Sequence, residues 1–529
     1  MKINKIKIYY NKSNAWKSWA LLLLLFFFAF TVNAQDTIKV QNHIIDNQIK
    51  NQIFKYPVAY TNSNIKDFTF TEVSYEHQQN EFARKQVANE INNYQFLAQG
   101  YFTTKSKWKL FGDLAIKKIL EKDLGWVLTD DRAEGQEVIN PHYFYVPRKA
   151  DWDNQVYALS GGFSKDITNH LSVAVKANYG TEKFSRTLDA RSQITNRNLG
   201  GEMQIGYQLT KNHKAFVFGS YAENQKDFNY KYNNTNLNLE VYPETYLRFN
   251  AGYGRILNYF KSSGSGYLYQ DIIDKIGLGY TIKGKNSIFT VLYYAQNSNN
   301  IFYTSDLDLI VNERMKIKTK SNHAELFAFH KWNKKEIQST FEFDQSDAKN
   351  FDKQSNGYNY TNSLSKVNWT ASLAQKTGSK IDYLVGLNLL YQQNEYNDIL
   401  ATTHIELNSL NTGIYTSKDF AFAKSKLNAT ASFNMYFPLP SKLDYYDTSG
   451  GTNIRFFDEV ILYDYAVNTT NYFAPALRLQ YTYPTKKNKT VVFFTNLKEK
   501  IALKKQTDYP VSINTNTTYW VQMGVQLNY

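Results

Sequence analysis

Apolar and polar residues alternate one by one along most of the chain. The final segment shows this best, because every second position is a large apolar residue: Tyr519, Val521, Met523, Val525, Leu527 and Tyr529. Successive side chains of a β-strand point to opposite faces, so this pattern predicts a strand with one apolar and one polar face. Similar segments occur near residues 171–179, 199–209, 276–282, 381–391, 427–433 and 473–481. A helical period appears only in Ile45, Ile49 and Ile53, which predict one short helix.

Short polar turns divide these segments. They are predicted at residues 105–107, 166–169, 210–213, 283–286, 333–336, 377–380, 438–441 and 484–489, with longer excursions rich in Asn, Asp, Ser and Tyr between them. Tight turns on the periplasmic side that alternate with long loops outside are typical of outer-membrane barrels. Each turn joins a descending strand to an ascending one, which predicts 16–18 strands. The range depends on a strand predicted to begin near Leu443.

The fold class that these observations predict is all-β, a transmembrane antiparallel β-barrel with short periplasmic turns and long extracellular loops. In hydrocarbon every backbone N–H and C=O group needs an internal partner, so a membrane-spanning sheet has to close on itself. Closure gives each strand a lipid-facing and a lumenal side, which explains the alternation. Six tyrosines near predicted strand ends suit aromatic girdles at the membrane interfaces, or ordinary cross-strand packing. They are Tyr179, Tyr207, Tyr253, Tyr280, Tyr391 and Tyr481.

The start of the chain has the pattern of an export signal. Residues 1–17 contain five lysines and no acid, an apolar run extends from Ala20 to Phe30, and small residues precede Gln35. We therefore predict a cleaved signal peptide at residues 1–34 and export to the cell outer membrane of a Gram-negative bacterium. Residues 35–64 are predicted to hang in the periplasm or to fold into the lumen, and residues 65–529 to form the barrel.

The composition excludes several other classes of protein. The mean hydropathy of -0.52 excludes a bundle of membrane-spanning helices, which needs apolar stretches of about 20 residues. The absence of Cys excludes disulfide frameworks, thiol nucleophiles and thiolate metal sites. The chain is basic, with 61 Lys and Arg against 47 Asp and Glu. Because these basic residues are spread along the chain rather than clustered, we expect no nucleic-acid partner.

Charged residues on the polar faces of predicted strands are the candidate functional residues. The candidates that we expect to face the lumen are Lys176, Glu202, Arg248, Lys275 and Arg478. Charge inside a wide barrel is usual for a water-filled pore, where it tunes ion selectivity. The alternative is a plugged lumen, in which these charges pair with the N-terminal segment or with inward-folded loops. The longest predicted loops, 121–153 and 227–271, are rich in aromatic residues that either form a partner surface or pack on themselves.

Enzyme chemistry is not indicated. The eight His residues include no HxxxH or HExxH pair, and the chain has no G-x-S-x-G sequence and no phosphate-binding loop. We therefore predict that the protein is not an enzyme and has no metal site and no cofactor. A hydrolase at the barrel rim is a remote alternative, because a catalytic triad is recognised by its geometry. It would use His142 and His404 with the loop acids Asp130, Asp131 and Asp398.

The layout resembles functionally uncharacterised outer-membrane β-barrel families of Bacteroidota. The resemblance rests on residues 32–35, on Asn140–Tyr143 with Trp152 ahead of the strand Tyr157–Gly162, and on the terminal Tyr529. It implies a porin-like fold and its location, but no substrate. It also implies three kinds of partner: outer-membrane lipid, the barrel-assembly machinery that reads a terminal aromatic such as Tyr529, and a surface lipoprotein or nutrient-uptake complex.

Two better-known barrel classes fit the chain poorly. TonB-dependent transporters resemble it less, because they carry a much larger N-terminal plug in a 22-stranded barrel. Barrel-assembly proteins carry periplasmic repeat domains, for which residues 35–64 leave no room. We therefore expect a channel for small hydrophilic solutes or nutrients. The alternative is an occluded barrel that serves as a scaffold or accessory subunit of a surface nutrient-uptake complex.

Overall fold

The computed structural model describes residues 50–62, 67–132, 140–257, 267–305, 311–378, 380–445, 454–485, 489–505 and 517–529. The predicted signal peptide and residues 35–49 of the predicted N-terminal segment lie outside the described residues. Of the three residues that predict a helix, Ile45 and Ile49 also lie outside, whereas Ile53 belongs to the helical residues 50–55. No helix among the described residues is both long and apolar enough to cross a membrane.

Strands make up most of the described chain. In order they are β1 (Phe68–Asn80), β2 (Glu90–Thr103), β3 (Lys109–Leu124), β4 (His142–Tyr145), β5 (Ala150–Asp166), β6 (Leu171–Arg186), β7 (Arg191–Thr210), β8 (His213–Lys231), β9 (Arg248–Ala251), β10 (Ile256–Leu257), β11 (Tyr267–Lys283), β12 (Ser287–Ser305), β13 (Val311–Trp332), β14 (Lys335–Asp352), β15 (Tyr360–Thr377), β16 (Lys380–Asp398), β17 (Thr403–Ala421), β18 (Lys426–Pro438), β19 (Lys442–Tyr445), β20 (Thr470–Pro484), β21 (Thr490–Lys505) and β22 (Thr517–Asn528).

The long strands form a closed barrel wall. Each pairs antiparallel with the next long strand, and β1 pairs with β22 from Phe70 opposite Asn528 to Asn80 opposite Thr518. Without the short strands β4, β9, β10 and β19, the wall has 18 strands. This confirms the predicted transmembrane antiparallel β-barrel, because the circular pairing leaves no sheet edge open to lipid.

The outward face of the wall is apolar, as a lipid-facing surface requires. Leu199, Ile276 and Val73 are 64%, 72% and 61% exposed, although they are large apolar residues. Tyr179, Tyr207 and Tyr481 also point outward. Tyr253 does not, because it lies in an outer connection and stacks on Tyr396 with ring centroids 5.2 Å apart. Its assignment to a girdle was therefore wrong.

The wall has 18 strands, which lies within the predicted range of 16–18, but one predicted strand and one predicted turn were wrong. The strand predicted near Leu443 is the four-residue β19, which pairs with the outer part of β17 and does not belong to the wall. The predicted turn at residues 438–441 follows the outer end of β18, and the turn that joins β17 to β18 lies at residues 422–425. The complete wall strand β17 was missed.

β17 escaped prediction because its apolar side changes from one half to the other. In the outer half Ile405 and Leu407 are buried toward the lumen, whereas lower in the strand Ile414 is 64% exposed on the outward face. A strand of this length extends beyond the hydrocarbon, which about 9 to 11 residues can span. Its outer half therefore contacts water on the outside and the apolar core on the inside. Apolar residues face inward in this half and outward in the lower half, so no single period-2 pattern extends along the whole strand.

We call the end of the barrel with the short turns the inner end and the opposite end the outer end. Three outer connections are long, at residues 125–149, 232–266 and 439–469, but those at 187–190 and 399–402 are as tight as the inner turns. The long connections carry a three-stranded sheet of β4, β9 and β10. They also carry a 3-10 helix, Thr235–Asn238, and continuous helical turns at Ile454–Phe456, Phe457–Ile461 and Leu462–Asn468.

Candidate functional site

The outer end of the lumen is filled by an aromatic core, which we call the outer core. It consists of residues 126–128 and 143–146, parts of β9 and of the helical turns 456–465, and inward side chains of wall strands. Phe144 at its centre is 1% exposed and lies 4.6 Å from Tyr267 and 5.1 Å from Phe228 between ring centroids. The long loops therefore pack on themselves and on the wall, one of the two alternatives that their composition allowed.

Residues 50–62, which we call the inner segment, lie in the lumen near the inner end. Their buried apolar side chains are Ile53, Tyr56, Val58, Ala59 and Tyr60, and they pack on aromatic residues of β1, β2, β3 and β8. A 3-10 turn, Pro57–Tyr60, carries three of them. Of the two positions predicted for this part of the chain, the described residues occupy the lumenal one.

Lysines of the wall hold the backbone of the inner segment. They donate to its carbonyl oxygens, Lys176 to Lys55 (3.1 Å), Lys214 to Val58 (3.2 Å), Lys109 to Tyr60 (3.1 Å) and Lys283 to Asn62 (2.7 Å). Gln204 adds two hydrogen bonds, because it donates to the Lys55 carbonyl at 3.0 Å and accepts from the Val58 N–H at 3.2 Å. Side chains of the segment add contacts of their own, since Lys55 pairs with Glu325 (3.6 Å) and Thr61 donates to Asp166. The segment is thus held through both its backbone and its side chains.

Three of the five predicted lumenal residues lie close together next to this segment. Glu202 lies between Lys176 (3.2 Å) and Lys275 (2.8 Å), and the cluster lines a cavity of about 490 Å³ together with Asn51 and Lys55. Since Lys176 also binds the backbone of Lys55, these charges pair both with each other and with the N-terminal segment.

Arg478 and Arg248 lie elsewhere. Arg478 is on the lumenal face of β20, where its guanidinium lies over the Phe494 ring at 5.3 Å. Arg248 is on β9 in the outer connections, not on a wall strand, and donates to the carbonyls of Pro243 (2.9 Å) and Tyr246 (3.2 Å). Arg248 was placed on the wall because its segment alternates, but β9 pairs only with the short strands β4 and β10.

The residues considered for a rim hydrolase have other partners. His142 is buried, and its Nε2 lies 3.4 Å from the Asn350 amide. Asp398 accepts hydrogen bonds from the Tyr253 N–H (2.6 Å) and the Asn359 amide (3.0 Å), which tie two outer connections to β16. His404 lies 3.9 Å from Glu395, and Asp130 and Asp131 pair with Lys226. Among the described residues no His, Asp and Glu side chains cluster as metal ligands would.

A larger polar cavity, which we call the chamber, lies in another part of the lumen. It has a volume of about 870 Å³ and lies on the inward faces of β1–β3, β16–β18 and β20–β22. Its cover at the outer end, in the described residues, consists of residues 82–88, Arg132 and the helix end at 467–468. Water-sized solutes therefore have a polar space inside the wall, beside the outer core rather than through it.

Most of the lysines that line the lumen were not predicted. Lys109, Lys214 and Lys283 bind the inner segment, and Lys117, Lys498 and Lys500 line the chamber. A usable signal was present for the last two, because Lys498 and Lys500 alternate with Leu497 and Glu499 and so share a face with Asn496. Tyr529 directly follows β22, and its N–H donates to the Thr69 carbonyl of β1 at 2.9 Å, next to the strand pair that closes the wall. Its role as an assembly signal stays a prediction.

Comparisons with known proteins give a family and a set of distant folds. A family model described as a family of unknown function (DUF6850) matches residues 57–529. No curated protein matches the chain. Solved structures that align with it include the ferric preacinetobactin receptor BauA of Acinetobacter baumannii, at 9% identity over 88% of this chain and 80% of that one, with a TM-score of 0.38.

Two further structures align equally distantly. The ferric yersiniabactin uptake receptor FyuA of Yersinia pestis is 8% identical over 88% of this chain and 80% of that one, with a TM-score of 0.39. The monoaromatic hydrocarbon channel TodX, as a mutant, is 9% identical over 90% of this chain and 93% of that one, with a TM-score of 0.31. These values carry no argument about substrate or mechanism.

Proposed function

The chain belongs to the family of unknown function DUF6850, and from that premise we propose that it is an outer-membrane passage for small hydrophilic solutes. The passage is closed at rest and opens when the inner segment leaves its place in the lumen. The observation that carries this proposal is the way in which the segment is held. Its backbone is bound by lysine side chains, and no strand pairing of the wall includes it.

Movement of the inner segment leaves the wall intact. β1 begins at Phe68, after the segment, and closes the barrel by pairing with β22. The lysine-to-carbonyl hydrogen bonds are replaced by hydrogen bonds to water when the segment leaves, so each contributes only about 0.5 to 3 kcal/mol. Lysines and Glu202 then line an aqueous path, which is where charged residues of a pore are expected.

A disulfide lock tests the proposal. A Cβ atom at Gly206 on β7 would lie 2.9 Å from Val58 Cγ2, so Val58→Cys with Gly206→Cys places two sulfur atoms at bonding range. The chain contains no other Cys, so no competing disulfide is formed. The double variant is reconstituted in planar bilayers, and its conductance is recorded before and after reduction. Each single Cys variant serves as a control.

The expected result is silence in the oxidised double variant and channel openings after reduction. Equal conductance in the two redox states would contradict the proposal, because the inner segment would then not control the path. Openings in both single variants, regardless of redox state, would show that the substitutions themselves are harmless.

An occluded barrel that serves a surface complex is the second candidate function. The outer core favours it, because a closely packed aromatic core at the outer end of the lumen is a stable structure and not a movable lid. On this alternative the reduced double variant is silent as well, and the protein purifies with a partner bound at the outer connections.

A further inference from the structure

The chamber combines three features of a binding site, beginning with unpaired cations. Lys117, Lys498 and Lys500 line it and form no ion pair with a described residue. Of the two lining carboxylates, Glu121 is held by Arg132, whose Nε donates at 2.7 Å, which leaves only Glu76. The chamber therefore carries a net positive charge, and an anion that enters it gains electrostatic energy.

The second feature is an unused polar group. Gln392 is 8% exposed, and its buried Nε2 donates no hydrogen bond. Oδ1 atoms of Asn93 and Asn411, which line the same chamber, are also buried without a donor. A buried amide without a partner is costly, so these groups are expected to bind water or a ligand. The Gln392 amide nitrogen can donate, and the two Asn oxygens can accept. Such a set suits hydroxyl groups, because a hydroxyl group both donates and accepts hydrogen bonds.

The third feature is a free aromatic surface. Trp520 faces the chamber from β22 and has no aromatic partner among the described residues. Lys498 lies opposite it in register on β21, and Gln78 lies opposite it on β1. The other two aromatic residues of wall strands that line the chamber are already engaged, since Tyr436 and Tyr472 stack at 4.6 Å and Lys500 lies over Tyr472. Trp520 is thus a platform for a ring, flanked by a cation and an amide.

We propose that the chamber binds an acidic sugar, a ring that carries both hydroxyl groups and a carboxylate. Trp520 stacks on the ring, Lys498 and Lys117 bind the carboxylate, and Gln392, Asn93 and Asn411 bind the hydroxyl groups. The proposal rests on the proposed function, because the sugar reaches the chamber only if solutes enter the lumen. It adds a substrate class to that function.

The test uses one Cys in the full chain. Gln78→Cys places a thiol beside Trp520, and the rate of its modification is measured with two methanethiosulfonate reagents, one bearing a sulfonate and one a trimethylammonium group. We expect the sulfonate reagent to react about threefold faster or more, because the local charge is positive. Digalacturonate should slow the reaction by about threefold or more at saturation, whereas neutral digalactose and inorganic sulfate should not.

Two variants in the Gln78→Cys chain identify the residues that act. Lys498→Met should reduce the preference for the anionic reagent, and Trp520→Leu should abolish protection by digalacturonate while it keeps that preference. The control is Lys318→Met, since Lys318 is exposed on the outward side of β13 and should change neither readout.

The possible outcomes test the passage and the sugar site separately. If neither reagent reacts, the chamber is inaccessible, and the passage and the sugar site are both wrong. If both reagents react but digalacturonate gives no protection, the passage stands and the sugar site is overturned. Equal protection by sulfate would overturn the acidic sugar as well, because it would reduce the site to one for any anion.

Discussion

The two closures of the lumen are built on different principles. The outer core is made of aromatic rings that interlock with the wall, such as Phe144 between Tyr267 and Phe228. The inner segment also buries apolar side chains, but its backbone is held in addition by wall lysines such as Lys214 and Lys283, which the outer core does not use. Water replaces a lysine donor easily but cannot replace the packing of a buried ring. On the proposed function, the inner segment moves while the outer core stays folded.

The largest effect is expected for Phe144→Ala in the outer core. Removal of this buried ring leaves a cavity among Tyr267, Phe228 and Phe302, and should destabilise the outer core by about 3 to 5 kcal/mol. Native-state proteolysis of the outer connections measures the free energy of their opening. The oxidised Val58→Cys and Gly206→Cys variant should stay silent when Phe144→Ala is added, because the inner disulfide lock remains intact. A loss below about 1 kcal/mol would show that the outer closure is loosely packed after all.

A smaller effect is expected for Lys214→Met at the inner closure. The Lys214 ammonium donates to the Val58 carbonyl, to Thr61 Oγ1 (2.6 Å) and to Ser172 Oγ (2.9 Å). Their loss should weaken the seating of the inner segment by about 1.5 to 3 kcal/mol. Open time in planar bilayers should rise by about 10-fold or more, with unchanged proteolysis of the outer connections. The outward Lys318→Met is the matched control, and equal gains in both variants would refute a specific role for Lys214.

A pH effect should separate the closures further. Burial lowers the pKa of His142 to about 3, so in the unfolded outer core this imidazole binds a proton below about pH 6.5 while in the folded core it stays neutral. The unfolded state then binds more protons, and the stability of the outer core falls as the pH falls from about 6.5 toward 3. His142 alone should cost about 2 kcal/mol of this stability between pH 7 and pH 5, which proteolysis measures.

Asp464 opposes this loss and supplies the control. Burial raises the pKa of its carboxyl from 3.8 to about 6, so the folded state binds the extra proton between these values and gains stability as the pH falls. Asp464→Asn should therefore make the loss at acid pH larger, and His142→Gln should make it smaller. An identical pH profile in all three proteins would contradict the assignment to these two groups.

The smallest effect is expected for Arg248→Ala. Because Arg248 lies on β9 and binds only nearby carbonyls of its own connection, its loss should change stability by less than about 0.5 kcal/mol. Ion selectivity of the reduced double Cys variant should not change. Lys275→Met, in contrast, removes a partner of Glu202 in the lumen and should shift selectivity toward cations. A changed ion selectivity in Arg248→Ala would show that Arg248 lines the aqueous path, and would contradict its assignment to the outer connections.

The candidate site was predicted in part. Lys176, Glu202 and Lys275 were found because each alternates with outward apolar neighbours, and this local pattern is sufficient to assign a face. Their grouping around one carboxylate was not predictable, since it depends on the register of β6, β7 and β11. Trp520 was visible as the one large apolar residue on the polar side of its strand. The chamber that surrounds it draws on nine strands that are far apart in the chain.

The sequence by itself determined the wall, because alternation, turns and the need to pair every backbone group in lipid are constraints that neighbouring residues satisfy together. Where that constraint weakens, beyond the hydrocarbon, the prediction failed, as at β17 and Arg248. Only the tertiary structure decided what fills the lumen. The contacts of Val58 with Gln204 and Lys214 join residues about 150 positions apart. The local sequence around Val58 does not indicate which part of the wall it contacts, and the local sequence of β7 and β8 does not indicate that they bind this segment.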